Sequence, residues 1–171
     1  SILEFAPDAQ VVSSFSKYFS MVAWRLGWLV ATREQLVQSR ALVSNLFLTA
    51  PSLSQHAALA AMDETAVLQG QVETYVRNRA LLLEALPALG LQDIAPPDGA
   101  FYIYANVGHL TDDSMAFCLE LLRDTGVAIA SGVDFDPVEG RRFVRISFAV
   151  STPLVEEALR RLTPWFAARR G

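Results

Sequence analysis

The sequence predicts an α/β or α+β fold in two regions, and three observations predict it. Apolar residues recur at helical spacing in several long stretches. After Gly99, short aromatic and β-branched runs alternate with such stretches. Before Gly99 one short apolar run, Ala9 to Ser14, is followed by helical sequence alone. Alternating helix and strand is the pattern of a layered sandwich. One strand cannot form a sheet, so the first region reads as incomplete, with its remaining strands expected before Ser1. The boundary is placed near residue 70, which divides the chain into 1–70 and 71–171.

Each element has its local reason. Ala9 to Ser14 (AQVVSS) reads as a buried strand that enters a small-residue loop, Ser14 to Ser16, and then Lys17. Thr32 to Phe47 reads as a helix, with Thr32 as N-cap and Glu34 in its positive first turn. Pro51 breaks the chain. Ser52 or Ser54 is expected to cap a long helical stretch, interrupted near Gly70 and ending at Pro87 and Gly90. Val72, Val76, Leu83 and Leu86 mark its apolar face. Phe101 to Ala105 reads as a strand. Thr111 is expected to cap a helix whose stripe is Met115, Cys118, Leu119 and Leu122, closed by Gly126. Val127 to Ala130 and Phe143 to Ala149 read as strands. Thr152 is expected to cap the last helix, with Pro153 at its first position and Val155, Ala158, Leu159, Leu162 and Phe166 buried.

Composition narrows the classes. Hydrophobic residues make up 52% and charged residues 19% of the 171, more apolar than an ordinary domain. The longest apolar candidate, Ser20 to Thr32, is short for a membrane span and contains Arg25. A soluble chain that hides much surface against a partner or further sequence is therefore expected, with no membrane. A net charge of −4, with arginine pairs scattered at 141–142, 160–161 and 169–170, argues against a nucleic-acid partner. Cys118 is the one cysteine, so no internal disulfide forms and a cytoplasmic location is expected.

The chemistry concentrates in Ser13 to Val30, SSFSKYFSMVAWRLGWLV. A lysine just after a short strand sits where α/β proteins place ligands. The flanking serines leave room and supply hydroxyls for a phosphate. Tyr18, Phe19 and Met21 are expected to desolvate Lys17 in part. Arg25, between Trp24 and Leu26, carries a planar fork suited to an anion. By residue type alone, a solvated lysine and a structural arginine explain as much. The segment as a whole closely resembles the lysine signature of fold-type I, class I/II aminotransferases, through Ser14, Ser16, Lys17, Phe19, Met21, Trp24, Arg25, Leu26, Gly27 and Trp28. Val22 and Ala23 replace the commoner threonine-glycine pair. The resemblance implies that Lys17 binds pyridoxal 5′-phosphate covalently, and that Ser14, Ser16 and Arg25 hold its phosphate.

A second signal is Phe143 to Ala149, FVRISFA. Val144, Ile146 and Phe148 alternate to one face, with Phe143, Arg145, Ser147 and Ala149 on the other. A strand-held guanidinium suits a carboxylate, although an edge-strand arginine facing water reads the same. Arg145 resembles the family arginine that clamps the substrate α-carboxylate, and Gly99 to Tyr102 (GAFY) resembles a small-domain element. The loop Ser131 to Pro137 (SGVDFDP) keeps Gly132 of the family pattern but adds Asp134 and Asp136, which puts substrate preference in question. His56, His109 and Cys118 show no metal-ligand spacing.

The resemblance implies the C-terminal portion of an aspartate aminotransferase-like fold: the end of the large cofactor domain in 1–70 and most of the small α/β domain in 71–171. It implies transfer of an amino group between an amino acid and a 2-oxo acid, in a homodimer. The family's aspartate for the pyridine nitrogen, its asparagine and tyrosine for the ring hydroxyl, and its glycine-rich phosphate turn have no match in Ser1 to Ser13. The chain is thus expected to be a fragment, inactive alone. Two alternatives stay open: a lyase of the same fold, and a non-enzymatic ligand-sensing domain of a regulator.

Overall fold

The computed structural model describes residues 1–169; Arg170, half of the last arginine pair, and Gly171 lie outside the described residues. The chain divides into two compact units, Ser1–Val72 and Glu73–Gly171.

The first unit corrects the lone-strand expectation. Strand β1 (Val11–Ser14) pairs antiparallel with β2 (Gly27–Val30), so the end of the lysine segment supplies a partner strand. Helix α1 (Arg33–Leu46) starts at Thr32, whose hydroxyl accepts the Gln35 amide at 3.3 Å while the Gln35 side chain accepts the Thr32 amide at 2.9 Å. That reciprocal cap satisfies two otherwise orphaned donors. Helix α2 (Ser52–Met62) has Pro51 as its N-cap and no side-chain cap. Ser54 instead turns inward, and its hydroxyl donates to the Trp24 carbonyl at 2.8 Å. The helical stretch breaks at Asp63 and Glu64, not at Gly70, and α3 (Thr65–Ala85) runs unbroken through the glycine. An added Cβ at Gly70 would meet nothing within 4 Å, so the residue demands no break. A small core forms around Phe15, Met21 and Ala58.

The second unit is a sheet covered by helices. Strands β3 (Tyr102–Asn106), β4 (Ala130–Ser131) and β5 (Phe143–Ser147) form an antiparallel sheet in the order β3-β5-β4. The chain leaves β3, passes through α4 (Ser114–Thr125) into β4, and returns into the gap as β5, which makes a split β-α-β unit. One face carries Ile103, Ala105, Val144 and Ile146 into the core, where Leu82, Leu86, Phe117, Leu121, Val155, Leu162 and Phe166 meet them. Helix α5 (Thr152–Ala167) and the end of α3 supply much of that cover.

Several stripes are displaced from the expected ones. On α3, Leu68, Asn78 and Leu82 are buried, as is Leu86 just past its end, while Val76 is exposed. Asn78 is buried because its amide donates to the carbonyls of Phe148 and Val150, at 3.1 and 2.7 Å, and so holds the chain where it leaves β5. On α4, Phe117, Cys118 and Leu121 are buried, and Met115, Leu119 and Leu122 are exposed. The buried face is the one that meets α5, where Phe117 packs against Trp165 and Phe166. Asp113, not Thr111, accepts the amides of Met115 and Ala116, each at 3.1 Å, and the helix begins two residues later than expected. Helix α5 is capped by Ser151 without a side-chain bond, and Trp165 joins Val155, Leu162 and Phe166 inside.

Candidate functional site

The β1–β2 hairpin builds the lysine loop. Ser14 lies opposite Gly27 at the end of the ladder, and the Phe15 amide donates to the Leu26 carbonyl at 3.1 Å. Inside the loop the Met21 amide returns to the Phe15 carbonyl at 3.2 Å, and the Ser20 amide to the Lys17 carbonyl at 3.0 Å. Phe15 and Met21 are buried, and the Phe15 ring meets Phe19 and Trp28 at 4.7 and 4.9 Å between centroids. The apolar residues around Lys17 therefore anchor the loop rather than cover the ammonium. Lys17 is exposed, and the expected partial desolvation is not found. The physical reason is direction: Phe15 and Met21 point into the unit, while Tyr18 lies 43% exposed beside the lysine.

Ser14, Ser16 and Arg25 lie at the neck of the same hairpin. The Ser16 amide donates to the Ser14 hydroxyl at 3.0 Å. Arg25 follows a short 3-10 turn in the left-handed conformation, φ 50° and ψ 49°, and its guanidinium donates to the Val22 carbonyl at 2.9 Å. A non-glycine residue there carries a cost of about 1 kcal/mol, a form of local strain that clusters at ligand sites. Gly27 is required at the neck, because an added Cβ would lie 2.5 Å from the Ser13 carbonyl oxygen. Two hydroxyls and a guanidinium are the donors a phosphate takes, and a primary amine is the group that condenses with an aldehyde. This donor set fits an aldehyde-bearing phosphate ester.

Arg145 belongs to the second unit. It stands on the central strand of its sheet, opposite Tyr104 on β3 and Ala130 on β4, so the edge-strand alternative is wrong. Its Cζ lies 4.2 Å from the Tyr102 ring centroid and 3.9 Å from that of Phe135. Its Nε is buried without a hydrogen-bond partner, as is the Tyr104 hydroxyl. Burial, and secondly the charge of Asp136, raises the Tyr104 pKa above its ordinary value, so the phenol is neutral near pH 7.

The loop after β4 is tied down by glycines and hydroxyls. An added Cβ on Gly132 would meet the Gly140 carbonyl oxygen at 2.5 Å, and one on Gly140 the Gly132 carbonyl oxygen at 2.4 Å. The Ser114 hydroxyl donates to the Gly140 carbonyl at 2.8 Å and lies 2.7 Å from the Ser131 hydroxyl, which fastens the loop to α4. Asp136 accepts the amides of Val138 and Glu139 at 2.9 and 3.1 Å and is a turn-forming residue. Phe135, Tyr104 and Gly140 were not singled out from the sequence. The available signals were a lone aromatic inside an acidic loop and a second glycine shortly before β5.

Cys118 is buried, and burial, followed by the charge of Asp134, pushes its thiol up to about 11, which leaves it inert at neutral pH. His56 and His109 are exposed, and no metal-ligand cluster occurs among the described residues. No helix among them is long and apolar enough to cross a membrane.

Comparison with known proteins places these features. Residues 2–162 match the family model "Aminotransferase class I and II". The valine–pyruvate aminotransferase of Mycobacterium tuberculosis is 48% identical over 164 residues, which is 95% of this chain and 42% of that protein. The crystal structure of an aminotransferase from the same organism superposes with a TM-score of 0.95 at 46% identity, covering 98% of this chain and 44% of that one. A mutant aspartate aminotransferase of Thermus thermophilus gives 0.86 at 30% identity, over 96% of this chain and 45% of its own. The chain thus spans less than half the length of these relatives. Its fold is that of the matching portion of an aspartate aminotransferase-like protein, and the chain belongs to the class I and II aminotransferase family.

Proposed function

We propose that the complete protein transfers an amino group between an amino acid and a 2-oxo acid with pyridoxal 5′-phosphate as cofactor, and that this chain contributes the cofactor lysine and the carboxylate receptor. The observation that supports the reading is the β1–β2 hairpin, whose loop bears Lys17 and whose neck bears Ser14, Ser16 and Arg25. In this reading the two serine hydroxyls and the Arg25 fork hold the phosphate. Lys17 anchors the cofactor through its amine and, once released, moves a proton at the substrate α-carbon as base and then acid. Arg145 receives the substrate carboxylate. When bound, the cofactor supplies an electron sink for the α-carbon. The first unit, with its boundary near residue 70, is read as the end of the large cofactor domain, and the second as most of the small domain. A cytoplasmic homodimer is proposed for the complete enzyme. Support comes from the large apolar side chains exposed on the first unit, such as Val12, Leu48 and Leu53, and from a single buried cysteine.

The test is chemical trapping. The chain is mixed with pyridoxal phosphate, reduced with borohydride and peptide-mapped. Lys17 is the only lysine of the sequence, so the comparison is with the Ser1 α-amine: a reduced adduct on Lys17 that exceeds the one on the α-amine, is lost in Lys17→Ala and is weakened in Arg25→Ala is expected. Equal labelling of Lys17 and the Ser1 α-amine, unchanged in Arg25→Ala, overturns the assignment.

A further inference from the structure

We infer that Phe135 is a positioning residue, which with Tyr102 holds the Arg145 guanidinium in a fixed plane and so sets affinity for the substrate carboxylate. The inference rests on the reading of Arg145 as the carboxylate receptor and extends it to a residue of the loop after β4.

The argument starts from the Arg145 side chain. A free arginine explores many rotamers, and fixing it on binding costs affinity. Here the fixing is done beforehand. Tyr102 and Phe135 each place a ring about 4 Å from Cζ, well inside the range at which a guanidinium is attracted to an aromatic face. The Nε is buried and bonded to nothing, so the backbone side of the guanidinium takes no competing acceptor. The fork's terminal nitrogens are the part a carboxylate takes in a bidentate pair.

The two rings differ in origin. Tyr102 stands on β3, fixed by the ladder, with Ser147 opposite. Phe135 comes from outside the ladder, and its side chain is 49% exposed, so core packing does not hold it. Its backbone is nonetheless held closely. The Phe135 and Asp136 amides both donate to the Gly132 carbonyl at 2.9 Å, and the Gly140 amide to the Asp136 carbonyl at 3.1 Å. The Ser114 hydroxyl then secures the Gly140 carbonyl from α4. A loop closed so firmly around a half-exposed aromatic, whose ring lies on a guanidinium, has orientation of that guanidinium as its physical effect.

The test uses the 15N-labelled chain, with the Arg145 Nε–H resonance assigned by its loss in Arg145→Lys. Without ligand, the ring-current shift on that resonance is expected to diminish in Phe135→Leu, which keeps bulk and removes the ring, and to persist in Phe135→Tyr. Titration with pyruvate at constant ionic strength is expected to shift the resonance saturably. The dissociation constant should rise about three- to thirtyfold in Phe135→Leu and Phe135→Ala and return to within about twofold in Phe135→Tyr. Unchanged amide spectra elsewhere show that the fold is kept. Equal affinity in all three variants overturns the inference and leaves the receptor reading intact. Absence of any pyruvate-dependent shift in the unsubstituted chain overturns the receptor reading, and the inference with it.

Discussion

Replacing Gly132 by alanine tests how tightly the loop after β4 is built. The new Cβ would lie 2.5 Å from the Gly140 carbonyl oxygen, 2.7 Å from the Phe143 carbonyl oxygen and 2.8 Å from the Tyr104 hydroxyl. The first of these is about 0.9 Å short of ordinary contact. Two of the three obstacles are backbone. Phe143 opens β5 and pairs with Asn106, and the Gly140 carbonyl is already bonded to Ser114. The Gly140 carbonyl cannot retreat without breaking that bond. Overpacking of this kind costs about 1–3 kcal/mol, offset by about 0.5 kcal/mol from the reduced freedom of the unfolded chain. The net loss should be about 0.5–2.5 kcal/mol. Urea unfolding can be followed at the Trp165 indole, whose N–H donates to Asp124 at 2.8 Å within the same unit. With a slope of about 2 kcal/mol/M, the midpoint should fall by about 0.3–1.2 M. A midpoint that is unchanged or raised would refute the steric reasoning.

Two further perturbations probe the second unit. Asn78→Ala removes two hydrogen bonds from a fully buried side chain and orphans the Phe148 and Val150 carbonyls. A loss of about 2–3 kcal/mol is expected, read as faster hydrogen exchange in β5, and exchange at the unsubstituted rate would count against it. Glu157 accepts hydrogen bonds from Arg160 and Arg161, which lower its pKa from 4.5 to about 2. Because the folded value is the lower one, the stabilisation is complete above pH 4.5 and fades as pH falls toward 2. The group is solvent-screened, so the effect is small and salt-sensitive. An NMR titration should place the carboxyl midpoint well below 4.5 at low salt, and Glu157→Gln should flatten the acid limb of stability; a midpoint at 4.5 contradicts the pairing.

Much of this architecture was legible because it rests on local chemistry. The Thr32 cap, the glycine at 126 and the alternation in Phe143 to Phe148 are each decided by neighbours a few residues away. What escaped the sequence depends on distant partners. Gly27 to Val30 forms a strand because Val11 to Ser14 lies beside it, not because of any pattern of its own. The buried stripe of α4 lies one residue, about 100° of turn, from the expected one, because Phe117 packs against Trp165 and Phe166 of α5, partners that no local pattern names. Lys17 was found by motif, while its exposure follows from the inward turn of Phe15 and Met21, which no motif states. The rings beside Arg145 come from positions 33 apart in sequence, and neither carries a signal until the sheet brings them to one guanidinium.

The split arrangement of the second sheet has an evolutionary consequence. Arg145 rides on the strand that both neighbours hydrogen-bond, so its main chain is set by pairings that few substitutions can disturb. The aromatic that touches it from the loop is outside those pairings and can be exchanged one residue at a time. A lineage could therefore retune what surrounds the guanidinium, and with it the preferred acid, while the anchor itself stays in register.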